Sequence, residues 1–255
     1  MNLKGMNILV TGGASGMGRA FTLLLAADGA NVAFCDLNDD GIAATEASGK
    51  DLPGKVVDFK ANVAVEAEVI ELMGKVKGAL GGLNGLVNNA GIFRDGLLVK
   101  QDKETGELKK MSLKNWQMVL DVDLTGPFLC TREFAAHCIE TRTNPAVVVN
   151  ISSVARHGNA GQSNYSATKA GLVADTKLWA LELGRYGIRT GAIAPGFVDT
   201  PILQGMRPEV LEGMLKPVPL RRVGKPEEIY AVVKFVIECD YFTGRCIDVD
   251  GGLTI

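Results

Sequence analysis

Tyr165 and Lys169 lie four residues apart in the run from Gln162 to Lys169. On a helix that spacing puts the phenol and the ammonium on one face. A positive charge about 4 Å from a phenolate stabilises it by roughly 4 kcal/mol at an effective dielectric near 20. The pair therefore predicts a tyrosine whose pKa is pulled down towards neutrality, able to exchange a proton with a substrate oxygen. Ser152 and Ser153 follow the apolar β-branched run from Ala146 to Ile151, and either can hold that oxygen. Adjacent strand residues face opposite sides, so only one of them can do so. Asp123 lies on another apolar helical stretch, an unusual place for a charge.

A second set of residues points to a bound phosphate. The apolar run Met6–Thr11 reads as a buried strand and leads into Gly12-Gly-Ala-Ser15-Gly16-Met17-Gly18, then a helix through Ala27. Strand, glycine turn and helix start together aim backbone N–H groups and the helix dipole at an anion. The second strand, Asn31–Asp36, ends in a carboxylate about 20 residues past that turn, where it can accept hydrogen bonds from an adenosine ribose. It would also repel a 2′-phosphate, and no Arg or Lys stands in the turn or just after Asp36 to neutralise one. The cofactor expected is thus NAD(H) rather than NADP(H). Small residues at Ala90 and Gly91, after a fourth strand beginning at Gly85, would let a planar ring approach the backbone.

These residues need a frame to bring them together. Strands are expected at 6–11, 31–36, 55–63, 85–91, 147–151, 188–194 and 246–250, alternating with helices at about 16–27, 39–48, 65–79, 112–140, 162–183 and from 226. Ser112 is the N-cap expected for the long fourth helix, with Pro127 kinking it or marking its packing against a neighbour. Lys100–Lys110 is the most polar stretch and reads as an exposed hairpin or surface loop. Residues 197–216, with Leu203, Met206, Val210, Leu211, Met214 and Leu215, suit a mobile lid over an apolar substrate or, equally, a helix packed permanently on the core or another subunit. The alternation means a Rossmann-type, doubly wound, parallel seven-stranded sheet in a single domain spanning 1–255.

Composition narrows the class. The chain has 255 residues, is 47% hydrophobic and carries a formal charge of −2, which gives no electrostatic reason to bind nucleic acid or an anionic membrane. It holds no signal peptide and no apolar run of transmembrane length. Five scattered cysteines without a CxxC pair read as buried thiols in a reducing, cytoplasmic compartment. Two histidines and no cluster with ligand spacing argue against a catalytic metal.

Thr11-Gly-x-x-x-Gly-x-Gly18, Asn88-Asn89-Ala90-Gly91, Ser152-Ser153, Tyr165-x-x-x-Lys169 and Pro195-Gly196, in this order, resemble the short-chain dehydrogenase/reductase family over essentially the whole chain. The resemblance implies that Tyr165 is the general acid/base, that Lys169 tunes it and hydrogen-bonds the nicotinamide ribose, and that a serine orients the substrate oxygen. It implies Gly12, Ser15, Gly16, Met17 and Gly18 around the pyrophosphate and adjoining ribose, and Asn62 and Val63 by the adenine. Asn89, Ala90 and Gly91 would lie by the ribose, Pro195, Gly196 and Val198 by the nicotinamide, and Thr200 by its carboxamide or the phosphates. The family's serine-to-tyrosine count lands on Ser152, while the strand end lands on Ser153; Ser153 is preferred, because a loop deletion is cheaper than a shifted strand. Asp123 stands where the family has an asparagine that holds a proton-relaying water. Its charge should offset part of the effect of Lys169 on Tyr165. Within the family the chain is similar to β-ketoacyl-acyl-carrier-protein reductases and 3-hydroxyacyl-CoA dehydrogenases, which implies a ketone or alcohol substrate and a homotetramer. Sugar, steroid, cyclic-alcohol or broad carbonyl reduction, and a non-catalytic NAD sensor, are the other readings.

Overall fold

The computed structural model describes residues 1–204 and 208–253. At its centre is a parallel sheet of seven strands: β1 (Asn7–Thr11), β2 (Asn31–Asp36), β3 (Val56–Lys60), β4 (Gly85–Asn88), β7 (Ala146–Ile151), β8 (Ile188–Pro195) and β9 (Arg245–Val249). The gap in numbering is a separate antiparallel hairpin, β5 (Val99–Gln101) with β6 (Leu108–Lys110). The strand order is β3-β2-β1-β4-β7-β8-β9. The order reverses between β1 and β4, and that switch point opens a crevice at the strands' C-terminal ends. Strands β1, β4 and β7 are almost wholly buried, because helices cover both faces; this explains their unbroken apolar runs. One core cluster holds Phe21, Phe34 and Val233. The other, on the opposite face, holds Leu72, Phe134 and Leu86.

The helices are α1 (Gly16–Ala27), α2 (Asp39–Gly49), α3 (Glu66–Leu80), α4 (Leu113–Leu120), α5 (Gly126–Thr141), α6 (Ser163–Leu183), α7 (Pro201–Gln204), α8 (Pro208–Leu215) and α9 (Pro226–Glu238). The expected single helix over 112–140 is divided. Ser112 caps α4, its Oγ accepting the Asn115 N–H at 3.1 Å. A π-helical turn, Asp121–Thr125, then separates α4 from α5. The Gly126 N–H reaches back to the Asp121 carbonyl, and Pro127 at the start of α5 has no N–H to continue the ordinary ladder. The result is a widened turn rather than a kink at the proline, and Asp123 lies fully buried within it.

Two strands stop two or more residues short of expectation, and the other strand ends lie within one residue of it. β3 stops at Lys60 and β4 at Asn88, so Asn62, Val63 and Asn89–Gly91 are loop residues beyond strand ends, while β9 begins one residue early. The hairpin expected within 100–110 is present and exposed. In the 197–216 segment, α7 and α8 are helical; Met206 lies outside the described residues. Cys35, Cys130 and Cys138 are buried, and all five thiols are free.

Candidate active site

The four strand ends that matter are neighbours in the sheet: β1, β4, β7 and β8. The turn after β1 packs directly on the turn after β4. Gly12 has φ +69°, and a Cβ there would lie 2.8 Å from the Ala90 Cα. The Asn89 amide donates to the Thr11 and Gly12 carbonyls at 3.0 and 3.2 Å, while Thr11 Oγ1 accepts the N–H groups of Asn89 and Ala90. Asn89 thus clasps the two turns together. A Cβ on Gly18 would fall 2.0 Å from the Gly12 carbonyl oxygen, so only glycine lets α1 start this close to the strand.

This cradle suits a pyrophosphate. Ser15 occupies the N-cap of α1 without a side-chain hydrogen bond to the helix, and the first turn carries no acidic residue. Its N–H groups and dipole are therefore available to an anion. Thr200 faces the same turn, its Cγ2 3.6 Å from where a Gly16 Cβ would stand, and Met17 packs against the core beneath. The Asp36 carboxylate lies alongside: Oδ2 accepts the Ala14 N–H at 3.0 Å, and Oδ1 accepts those of Leu37 and Asn38. The carboxylate is thereby fixed at the end of β2. Ala61 donates to the Asp36 carbonyl, which brings Asn62 and Val63 beside this end of the crevice; Val63 is buried against Gly126. At the far side, Gly196 packs on Asp250 and donates to the Val249 carbonyl, Pro195 ends β8, and buried Val198 bridges to Gly224.

Tyr165 and Lys169 share one face of α6, both buried. The Lys169 Nζ is 5.2 Å from the centroid of the Tyr165 ring and donates to the Ile151 carbonyl at 3.1 Å. It also lies 3.2 Å from Asp123 Oδ2, an ion pair without the alignment of a hydrogen bond. The other carboxylate oxygen accepts the Ile92 N–H at 2.8 Å. Gly91 sits against this pair: a Cβ there would be 2.8 Å from Asp123 Oδ2 and 3.5 Å from Lys169 Nζ. Through Ala90 and Gly91 the lysine is therefore adjacent to the glycine cradle.

The two serines diverge, as alternation requires. Ser152 is buried, its hydroxyl donating to the Lys169 carbonyl at 2.8 Å. Ser153 begins a short 3-10 turn, where its Oγ accepts the Ala155 N–H at 3.1 Å, and its side chain lies on the Tyr165 side, where it lowers the phenol's pKa.

Electrostatics at Tyr165 correct one expectation. Burial pushes the phenol above its ordinary range; Lys169 pulls it back, Asp123 pushes it up again, Ser153 pulls it down, and Asp95 raises it. The net direction is upward, not towards neutrality, because desolvation disfavours the phenolate more than the lysine favours it. For Lys169, burial works against the ammonium, but Asp123 and Tyr165 together raise it. Burial likewise raises the Asp123 carboxyl, with Lys169 and the Ile92 N–H opposing.

Three contributors carried no signal in the sequence. Buried Asn164 accepts the Tyr165 N–H and donates to the carbonyls of Arg94 and Asn115. Phe93 lies against the Tyr165 ring, centroids 4.6 Å apart. The Ile92 backbone N–H anchors Asp123. Among the described residues no group of His, Cys, Asp and Glu could hold a metal ion, and no helix is long and apolar enough to cross a membrane.

Comparison with known proteins places these features. A family model described as enoyl-(acyl carrier protein) reductase, a short-chain dehydrogenase/reductase model, matches residues 12–254. The chain is 40% identical to a 3-oxoacyl-(acyl-carrier-protein) reductase of Thermotoga maritima over 258 residues, covering 100% of each. It is 37% identical to an acetoacetyl-CoA reductase of Synechocystis, covering 98% of the chain and 97% of the relative. It is 36% identical to a rat (3R)-3-hydroxyacyl-CoA dehydrogenase, covering 99% and 98%.

Proposed function

This chain belongs to the short-chain dehydrogenase/reductase family of oxidoreductases, and from that membership we propose that it moves a hydride between NAD(H) and the 3-position of a 3-oxoacyl or 3-hydroxyacyl thioester, with Tyr165 as general acid/base. The observation that carries this reading is the meeting of Tyr165, Ser153 and Lys169 beside the glycine cradle. The relatives reduce or oxidise 3-oxoacyl and 3-hydroxyacyl groups, as their names state. The bound nicotinamide supplies or accepts the hydride. Ser153 and the Tyr165 hydroxyl hold the substrate oxygen. In reduction Tyr165 gives that oxygen its proton, and in oxidation the phenolate takes the proton away. Lys169 stabilises the phenolate, and Asp123 keeps Lys169 charged despite its burial.

Gly12, Ser15, Gly16, Met17 and Gly18 receive the pyrophosphate, with Thr200 closing over it. Asn62 and Val63 border the adenine, Asn89, Ala90 and Gly91 the ribose, and Pro195, Gly196 and Val198 the nicotinamide. Asp36 supports NAD(H), since its fixed charge takes ribose hydroxyls and repels a 2′-phosphate. The described parts of the 197–216 segment, α7 and α8, fit a substrate lid. Exposed Phe128 and Ile139 on α5, with Leu178 and Leu181 on α6, support burial of these helices in a homotetramer. Free thiols agree with a cytoplasmic setting.

The test is steady-state oxidation of 3-hydroxybutyryl-CoA and reduction of acetoacetyl-CoA with each nicotinamide in turn. Turnover with NAD(H) preferred supports the reading. Binding of NAD(H) without turnover of any alcohol or ketone identifies a sensor instead, and a preference for NADPH removes the role given to Asp36.

A further inference from the structure

Phe93 stands between Tyr165 and solvent. Its ring lies 4.6 Å from the Tyr165 ring, tilted by 41°, while Phe93 itself remains 38% exposed. The backbone on both sides of it is anchored to the site. The Ile92 N–H donates to Asp123 Oδ1 at 2.8 Å. The Arg94 carbonyl accepts from the Asn164 amide at 3.1 Å, and the Asn164 oxygen takes the Tyr165 N–H at 2.9 Å. Just beyond, the Gly96 N–H bonds the Gly161 carbonyl at 2.7 Å, and Gln162 bonds Asp95. The segment is thus tied at several points to the elements that carry Tyr165 and Asp123. A backbone tied this way presents the Phe93 ring as a preorganised wall against the Tyr165 ring.

We propose that Phe93 is a specificity-determining residue: its clamped ring forms the wall over Tyr165 and selects against ketones branched next to the carbonyl. This rests on the oxidoreductase reading above. A substrate oxygen that reaches the phenol places its carbonyl carbon and the groups flanking it close to Tyr165. An unbranched group slides past a fixed aromatic face, whereas a tertiary carbon collides with it. The same ring excludes water from the phenol and so contributes to the burial that raises it.

The test compares kcat/KM for ethyl 3-oxobutanoate and ethyl 4,4-dimethyl-3-oxopentanoate in wild type, Phe93→Ala and Phe93→Leu. Wild type should favour the unbranched ester. Phe93→Ala should relax that preference by about ten-fold or more, mainly through a gain on the branched ester. Phe93→Leu, which keeps bulk but loses the flat ring, should fall between. The pH profile of Phe93→Ala should also move to lower pH, since water then reaches Tyr165, while Phe93→Leu, which keeps the bulk, should hold the wild-type profile more closely. A ratio unmoved in both variants, or equal losses on both esters, overturns the role of Phe93 while wild-type turnover leaves the oxidoreductase reading standing. A wild type inactive on every ketone with either nicotinamide overturns both.

Discussion

Asp123→Asn changes one atom type and removes one buried charge. The amide oxygen can still accept the Ile92 N–H, so the π turn keeps its anchor. What disappears is the carboxylate that sits 3.2 Å from Lys169 Nζ and raises the phenol of Tyr165. Nζ is itself 5.2 Å from the phenol ring, which puts the carboxylate within about 8 Å of it, where a unit charge at an effective dielectric near 20 is worth on the order of 2 kcal/mol. In the proposed mechanism the phenolate oxidises an alcohol, so the rate should rise with pH as Tyr165 ionises. Removing the negative charge favours the phenolate while Lys169 keeps its proton, and under that condition the rising limb of kcat/KM should move down by on the order of one pH unit. The assay is the pH profile of alcohol oxidation, followed by nicotinamide absorbance, for wild type and variant. Thermal unfolding in parallel registers the other consequence. Without Asp123 the buried Lys169 keeps, among the described residues, the Ile151 carbonyl as its hydrogen-bond acceptor, and breaking a buried pair costs about 3–5 kcal/mol. A limb that stays in place or moves to higher pH refutes the electrostatic reasoning, whatever happens to stability.

Tyr165→Phe should lower kcat by about a hundred-fold or more while NAD(H) affinity, read by fluorescence titration, changes little. Gly18→Ala should abolish measurable NAD(H) binding and destabilise the fold by about 1–3 kcal/mol in urea titration, because the new Cβ would meet the Gly12 carbonyl at 2.0 Å. Asp36→Ser should narrow the preference for NAD(H) over NADP(H) by about ten-fold or more in kcat/KM, by removing the charge that repels a 2′-phosphate. Asn164→Leu should cost kcat and about 1–3 kcal/mol of stability together, since the Tyr165 N–H and the Arg94 carbonyl both lose a partner.

Much of the frame was legible in the chain because it is encoded between near neighbours. Apolar runs bounded by glycine and polar residues located the strands, and their alternation with helices implied the doubly wound sheet. Tyr165 and Lys169 share a face because a helix repeats every 3.6 residues. The glycine turn announced itself because its geometry admits little else at Gly12 and Gly18. The choice between the serines was half legible: alternation said that one must face away, and the structure turns Ser152 towards the Lys169 carbonyl and Ser153 towards the phenol.

Other features depend on what the fold packs around a residue. The long fourth helix is interrupted by a π turn, inside which Asp123 meets buried partners, Ile92 and Lys169, that come from distant elements. The sign of the shift at Tyr165 depended on depth of burial and on every charge around it, including Asp95, none of which a four-residue spacing reports. Phe93 and Asn164 became part of the site only when the loop after β4 folded over the start of α6. The chain by itself determined the alternation of strands and helices, the glycine turn after the first strand and the pairing of phenol with ammonium, because backbone geometry and helical periodicity are local. Tertiary structure alone decided the electrostatic balance and the wall around the phenol, because desolvation and Coulomb interactions follow distances in space, not separations in sequence.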